Sequence, residues 1–517
     1  MRARVVLVVM ALVASSVLTG AATDRTRCAD LVGPFPGAEV TSAALVDGEY
    51  CDVQGRVAPN IRFHLKLPTD YSGRYLQLGC GGFCGELATP TLRPCGTVPG
   101  NMAVATTDDG HTGTGDVPSV DASWAQNDRA ARDDWQFRAP HVVSRTAKQV
   151  ITRYYGAPPT YSYFSGCSGG GREALLLAQR YPDDFDGIAA GAPANHLSAL
   201  VVHEAWLSHA NTAPNGTPIL TADKLPGLHA AVLAACDHLD GLSDGQLEDP
   251  RACTFDPATL LCPTAGAACL TPSQVDTVRK LYDGPRTPDG RRLYPAGQTR
   301  GSELAWTRWL IPTTETPSLA ASLADAYLRN LAYPIGTKHT TLANFTFTAP
   351  EFHRLTAEGV RANAMSTDLK AFHRTGGKLL LWHGWNDEAI PPAGTLDYYA
   401  RLSAQHPEGL SDWARLFMVP SLHHCGQGDT LTTFDPLPDL IRWTEHNTPP
   451  THITAQGHTP NGTPRTRPIY PYPQQATYTG TGSPNEATNF TPTTPPRSND
   501  LTDWLGTYLH RLPGPVA

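Results

Sequence analysis

Residues 161–181 read YSYFSGCSGGGREALLLAQRY, and the order of elements in this stretch decides the fold. Tyr161 to Ser165 makes a short aromatic strand, and Gly171 to Tyr181 has the spacing of a helix. Between them stands Gly166-Cys167-Ser168-Gly169-Gly170, which fits Gly-x-Ser-x-Gly in the strand-to-helix context that the pattern requires. A serine on so sharp a turn has a strained backbone, and glycines around it let the helix and neighbouring strands approach. The turn lifts the hydroxyl clear of the sheet edge, which makes Ser168 a candidate nucleophile. The plain alternative, a glycine-rich turn with an incidental serine, does not account for the flanking strand and helix.

Working outward, Ile61 to Leu67, Arg74 to Leu78, Met102 to Thr106 and Gly187 to Gly191 read as strands, and Ala139 to Tyr155 reads as a helix. Further on, Lys378 to Trp382 and Ala414 to Val419 are apolar strands with a helix-like stretch, Gly394 to Leu402, between them. Strands alternating with helices predict a parallel sheet covered by helices, an α/β fold of the α/β-hydrolase type. Cys28 to about Asn60 reads as turn-rich. From 195 to 368 the alternation disappears, four cysteines cluster, and Trp, Pro and Leu become frequent. The expected organisation is a signal peptide at 1–22, a catalytic domain from 23–194 and 369–517, and an inserted lid domain at 195–368. Beyond Thr444 the chain is rich in Thr and Pro, as a low-complexity tail would be.

The N-terminus runs from Arg2 and Arg4 through an apolar stretch, Val5 to about Leu18, to Gly20, Ala21 and Ala22. That order is the order of a secretory signal, and the apolar stretch is short for a membrane span. The expectation is a secreted, extracellular protein with no membrane partner. A net charge of -8 without a basic run gives no footprint for nucleic acid. With 40% hydrophobic and 17% charged residues the 517-residue chain has an ordinary globular composition, while 46 Gly and 46 Pro imply many turns. Eleven cysteines in an exported chain suggest disulfides, with at least one thiol left over.

A serine hydroxyl needs a base, and in this fold the chain order is Ser, then Asp or Glu, then His. His383-Gly384-Trp385-Asn386-Asp387 follows an apolar strand and places Asp387 in the loop at its end; His423 and His424 follow the next strand. Cys167 directly precedes Ser168, and Cys425 directly follows His424. A bond between these cysteines would clamp nucleophile to base and selects His424 over His423. The oxyanion formed on attack needs backbone donors: the Gly169 N–H is one, and Gly81 or Gly82, in the glycine-rich run 79–85, supplies the other. Cys80, Cys84 and Cys95 leave their pairing open, with Cys84 to Cys95 preferred.

A second cluster lies at 236–246, CDHLDGLSDGQ, where three carboxylates at short intervals are separated by glycines. Such a loop can wrap a hard cation in oxygen ligands, and its spacing is not that of an EF-hand.

Taken together, Gly166 to Arg172, His383 to Asp387 with Pro391 and Pro392, and His424-Cys425-Gly426 resemble the tannase and feruloyl esterase family. The Cys-Ser and His-Cys pairs are the specific part, and the likeness extends to Arg467-Pro-Ile-Tyr-Pro-Tyr-Pro473, which implies an ordered C-terminal region. The resemblance implies a carboxylic ester hydrolase acting through an acyl-enzyme on esters of aromatic acids such as gallate or ferulate, or on terephthalate monoesters. It implies a disulfide between Cys167 and Cys425, with others joining Cys28 to Cys51, Cys236 to Cys253 and Cys262 to Cys269. It also implies a structural Ca2+ held by the side chains of Asp237, Asp240 and Asp244 and the carbonyls of Leu242 and Gln246, and no organic cofactor. A C-terminal bridge found in relatives has Tyr470 and Pro492 in its place. Two other readings remain open on the residues alone: a serine peptidase, since the same triad cleaves amides, and a non-catalytic binding protein on a hydrolase scaffold, which the presence of all three triad residues disfavours.

Overall fold

The computed structural model describes residues 27–88, 100–262, 269–313, 316–496 and 500–517. Residues 1–22, read as the signal, and Cys95 lie outside the described residues.

Ten strands form one mixed sheet: β1 (Gly33–Phe35), β2 (Ala38–Val46), β3 (Tyr50–Val57), β4 (Ile61–Pro68), β5 (Arg74–Leu78), β6 (Ala103–Thr107), β7 (Tyr161–Cys167), β8 (Gly187–Gly191), β9 (Lys378–Gly384) and β10 (Ala414–Val419). Their spatial order is β1-β2-β3-β4-β6-β5-β7-β8-β9-β10. From β6 to β10 every neighbouring pair is parallel, while β1 to β4 form an antiparallel meander that joins the sheet at β6.

The parallel strands are apolar throughout because both of their faces are covered. Alternation along β9 sends Leu379 and Leu381 into one core and Leu380 and Trp382 into the other. The first core is closed by the helices Ala139–Tyr155, Gly169–Arg180 and Ala393–Gln405, the second by the helix Leu437–His446.

Three expectations are corrected. The stretch 28–60 is not merely turn-rich, since it carries β1, β2 and β3. Strand β2 has a single buried residue, Val40, so the apolar alternation that marks a strand is almost absent from it. The region beyond 444 is no low-complexity tail but ordered, as the resemblance implies: β12 (Ile453–His458) and β13 (Pro464–Ile469) form a second sheet with β11 (Leu431–Thr433), and β14 (Gln475–Tyr478) pairs with β15 (Phe490–Thr493). Where the missing C-terminal bridge would stand, the Tyr470 hydroxyl donates to the Phe490 carbonyl at 3.3 Å. Finally, Cys84 is bonded to Cys80 and not to Cys95. A turn closed by the Cys84 N–H on the Gly81 carbonyl brings the two Cα atoms to 5.4 Å, within disulfide reach.

The described part of 195–368 adds no strand to any of the sheets. It contributes helices, among them Leu197–Ala210, Leu225–Cys236, Pro272–Asp283, Leu319–Asn330 and Ala349–Gly359, with one apolar core of their own and a second shared with residues from outside the segment such as Phe83, Trp135 and Trp504. Among the described residues no helix is long and apolar enough to cross a membrane.

Candidate active site

Strand order reverses between β5 and β7, since β6 lies on one side of β5 and β7 on the other. In open parallel sheets the crevice beyond such a reversal, at the carboxyl ends of the strands, is where ligands bind. Both loops singled out by the sequence leave the sheet there: the glycine run after β5 and the serine turn after β7.

Ser168 has φ 64° and ψ -121°, a strained conformation for a residue with a side chain. The surroundings enforce it. A Cβ on Gly166 would meet the Gly170 carbonyl oxygen at 2.4 Å, and one on Gly171 would meet the Gly191 carbonyl oxygen at 2.3 Å. A Cβ on Gly169 would stand 2.9 Å from the Gly82 oxygen and 3.0 Å from the Cys80 oxygen, so the serine turn and the glycine run are in contact. Gly169 opens its helix, where its N–H has no partner within the helix. Gly81 and Gly82 line the same cavity as Ser168.

Cys167 and Cys425, 258 residues apart, are joined by a disulfide with Cα atoms 5.9 Å apart. His424 thereby lies on the cavity wall with Ser168. Its Nδ1 is 2.8 Å from Asp387 Oδ2. A carboxylate can only accept, so Nδ1 carries the hydrogen and Nε2 keeps its lone pair. Asp387 is fully buried, and its carboxylate also accepts from the amides of Ala389 and Ile390 at 2.9 and 2.8 Å, with His383 Nε2 at 3.1 Å. Burial alone would raise its pKa, but the charge of His424 and hydrogen bonds from His383 and His424 outweigh it and hold the carboxyl well below the usual range. Burial opposes the charge on His424, whereas the Asp387 carboxylate and, after it, Glu388 raise its pKa above the ordinary histidine value. His423 is turned aside, with Nε2 3.1 Å from Asp429 Oδ1.

The cavity measures about 570 Å³, within the size range of small-molecule sites. Apart from the two glycine-rich turns its walls are largely apolar: Leu78, Val117 and Val120 from the sheet side, and Trp309, Leu319 and Leu323 from the 195–368 segment. The Trp309 ring lies 5.7 Å from that of His424. Trp309 left no mark in the sequence, because spacing does not reveal which side chain of the 195–368 segment lines the Ser168 cavity. Both the Cys80–Cys84 and the Cys167–Cys425 bridges border the cavity. Cys28–Cys51, Cys236–Cys253 and Cys262–Cys269 are also bonded.

Among the described residues two groups of possible metal ligands close on themselves, and the 237–246 loop carries a third set of acids. Cys80, Cys84, Asp109 and Glu173 form one cluster, whose cysteines are bonded to each other and offer no thiolate. His196, Asp397 and His510 form another, in which Asp397 already accepts from Arg401, Thr502, Trp504 and His510. The third is the 237–246 loop, which turns through Gly241 (φ 90°) and Gly245 (φ 81°). There Asp237 accepts the amides of Asp244, Gly245 and Gln246, Asp240 accepts those of Leu242 and Glu248, and Asp244 meets Arg467 at 2.6 Å. Burial, and after it the charges of Asp244 and Asp237, push Asp240 up to about 6; burial likewise pushes the neighbouring Glu248 up to about 7. The carboxyl groups and carbonyls of this loop are oxygen donors of the kind a hard divalent cation takes, although the three aspartates do not converge within common ligand distance of one another and Asp244 is paired with Arg465 and Arg467.

A sheet with a run of parallel strands from β6 to β10, carrying a serine on a strand-to-helix turn and an Asp–His pair from the ends of two later strands, defines an α/β-hydrolase. The model of the tannase and feruloyl esterase family matches residues 43–493. The mono(2-hydroxyethyl) terephthalate hydrolase of Piscinibacter sakaiensis is 33% identical over an alignment covering 89% of this chain and 87% of that protein. A probable feruloyl esterase B-2 of Aspergillus flavus is 31% identical, with 75% of each chain covered. The crystal structure of an esterase from Aspergillus oryzae superposes with a TM-score of 0.78 at 24% identity, covering 90% of this chain and 99% of that one, and shares the fold. The chain belongs to the tannase and feruloyl esterase family and is a carboxylic ester hydrolase.

Proposed function

We propose that the chain is a secreted serine esterase that cleaves esters of aromatic acids through an acyl-enzyme, with Ser168 as nucleophile, His424 as general base and Asp387 orienting the histidine. The observation that carries this reading is the Cys167–Cys425 bridge, which sets the two neighbouring residues, Ser168 and His424, on the wall of one cavity. His424 Nε2 takes the serine proton as Oγ attacks the ester carbonyl, and the imidazolium is stabilised by Asp387. The negative oxygen of the tetrahedral intermediate is received by the Gly169 N–H and by an N–H of the Gly81–Gly82 turn. Proton return from His424 to the leaving alkoxide frees the alcohol, and a water activated by the same imidazole releases the acid.

The segment 195–368 acts as a lid, and its Trp309, Leu319 and Leu323 offer an aromatic acid an apolar wall. Support for the substrate class comes from relatives named as feruloyl esterases and as a terephthalate monoester hydrolase. Calcium is held in the lid by the side chains of Asp237, Asp240 and Asp244 with the carbonyls of Leu242 and Gln246; bound there it supplies structure and takes no part in the reaction. Residues 1–22 direct export.

The test compares methyl gallate, methyl ferulate and a terephthalate monoester by kcat/KM, together with Ser168→Ala. Turnover of at least one aromatic ester, lost in Ser168→Ala while the fold is retained, is expected. A Ser168→Ala variant that still turns over would sink the assignment, and a preference for p-nitroanilides over p-nitrophenyl esters would favour a peptidase.

A further inference from the structure

The loop after β9 presents more than Asp387 to the histidine. Its next residue, Glu388, has a half-buried side chain whose Oε2 accepts the backbone N–H of His424 at 3.1 Å. The main chain of Glu388 is itself fixed, since its carbonyl accepts from Gln298 Nε2 at 3.0 Å. Two consecutive acids thus hold one histidine in different ways: Asp387 by the ring and Glu388 by the backbone. On the far side, the residue after His424 is tied to the serine turn through its disulfide.

We propose that Glu388 is a positioning residue for the base, its carboxylate anchoring the main chain of His424 so that the imidazole is fixed at ring, backbone and neighbouring bridge. The proposal rests on the reading of His424 as base. A hydrogen bond to a charged acceptor is stronger than a neutral one, so the anchor suits a loop that must hold an imidazole in place through acylation and deacylation. Glu388 also acts on the ring through its charge. The titratable groups facing it are Asp387 and Glu204, which repel its charge, and His424 and His423, which favour it. Glu204 is driven toward its neutral form by burial, and His423 is paired with Asp429. Burial and, after it, the Asp387 charge raise the pKa of Glu388 itself, and in its ionised form Glu388 adds to Asp387 in favouring the imidazolium.

The experiment measures kcat, KM and the pH profile of kcat/KM on methyl ferulate and p-nitrophenyl acetate for Glu388→Ala and Glu388→Gln, with Ser168→Ala alongside and melting curves for each. Removing the anchor in Glu388→Ala is expected to lower kcat by roughly ten- to a hundredfold with KM within about twofold. Glu388→Gln keeps an oxygen that accepts the amide and should recover most of kcat. Both variants lose the charge, so the acid limb should move to lower pH by roughly half a unit to one unit. Wild-type kcat and an unmoved acid limb in Glu388→Ala overturn the proposal, as does a fall in melting temperature in both variants with the limb in place. Retained turnover in Ser168→Ala instead overturns the underlying reading, and with it any base to be positioned.

Discussion

His424 is a half-buried imidazole beside two carboxylates, and their charges outweigh desolvation so that its pKa lies above the ordinary value near 6.5. As the proposed base, His424 works only when neutral, so the acid limb of kcat/KM should fall above about pH 6.5 and activity should be lost as pH drops through it. A limb at or below pH 6 in the wild-type protein would contradict this environment. The same pair contributes to stability in opposite directions. The raised His424 adds stability that is full below its unfolded pKa and lost as pH rises through the folded value, while Asp387, held low, adds stability present above its unfolded pKa and lost as pH falls through the folded one. At this scale much was legible. Asp387 and His424 were chosen from chain order and from strands ending just before them, and the two are hydrogen-bonded at 2.8 Å; Cys425 pointed to His424, the member of the adjacent pair that lines the Ser168 cavity. Glu388 was hidden because a carboxylate next to an aspartate gives no sign of which backbone amide it will reach.

The elements that hold these residues differ in how they announce themselves. Buried parallel strands such as Leu379 to Trp382 are runs of apolar residues and were readable, whereas β2 is almost wholly solvent-facing and was not. The Cys80–Cys84 pairing was missed because it depends on a backbone turn in which Cys84 takes φ 62°, a conformation that spacing does not disclose. The proposed calcium loop is an element of the same kind, short, glycine-hinged and stabilised by its own amides. Removing the cation should leave the carboxylates of Asp237, Asp240 and Asp244 to repel one another, so a chelator is expected to lower the melting temperature. The loss corresponds to about 2.7 kcal/mol if calcium was present at a hundred times its Kd. Restoration by added Ca2+ completes the check, and a melting curve indifferent to chelator removes the assignment.

Across the whole molecule the site is assembled from parts far apart in sequence: a serine after β7, an acid after β9, a histidine after β10 and apolar wall residues from the segment between β8 and β9. The Cys167–Cys425 bond draws the first and third of these together and, by loop-closure entropy, stabilises the fold by of the order of 5 kcal/mol. The sequence showed that two cysteines flank two candidate residues; it did not show the apolar wall, which exists only once the insertion has folded against the sheet. The reactivity of Ser168 is therefore tested most directly by the rate at which a serine-directed phosphonate labels it, located by peptide mass, in wild-type protein and in Cys167→Ala/Cys425→Ala with an unchanged circular dichroism spectrum. Labelling of Ser168 that slows by at least roughly tenfold in the double variant is the predicted result. An equal rate in both, or no adduct on Ser168 in the wild-type protein, would contradict it.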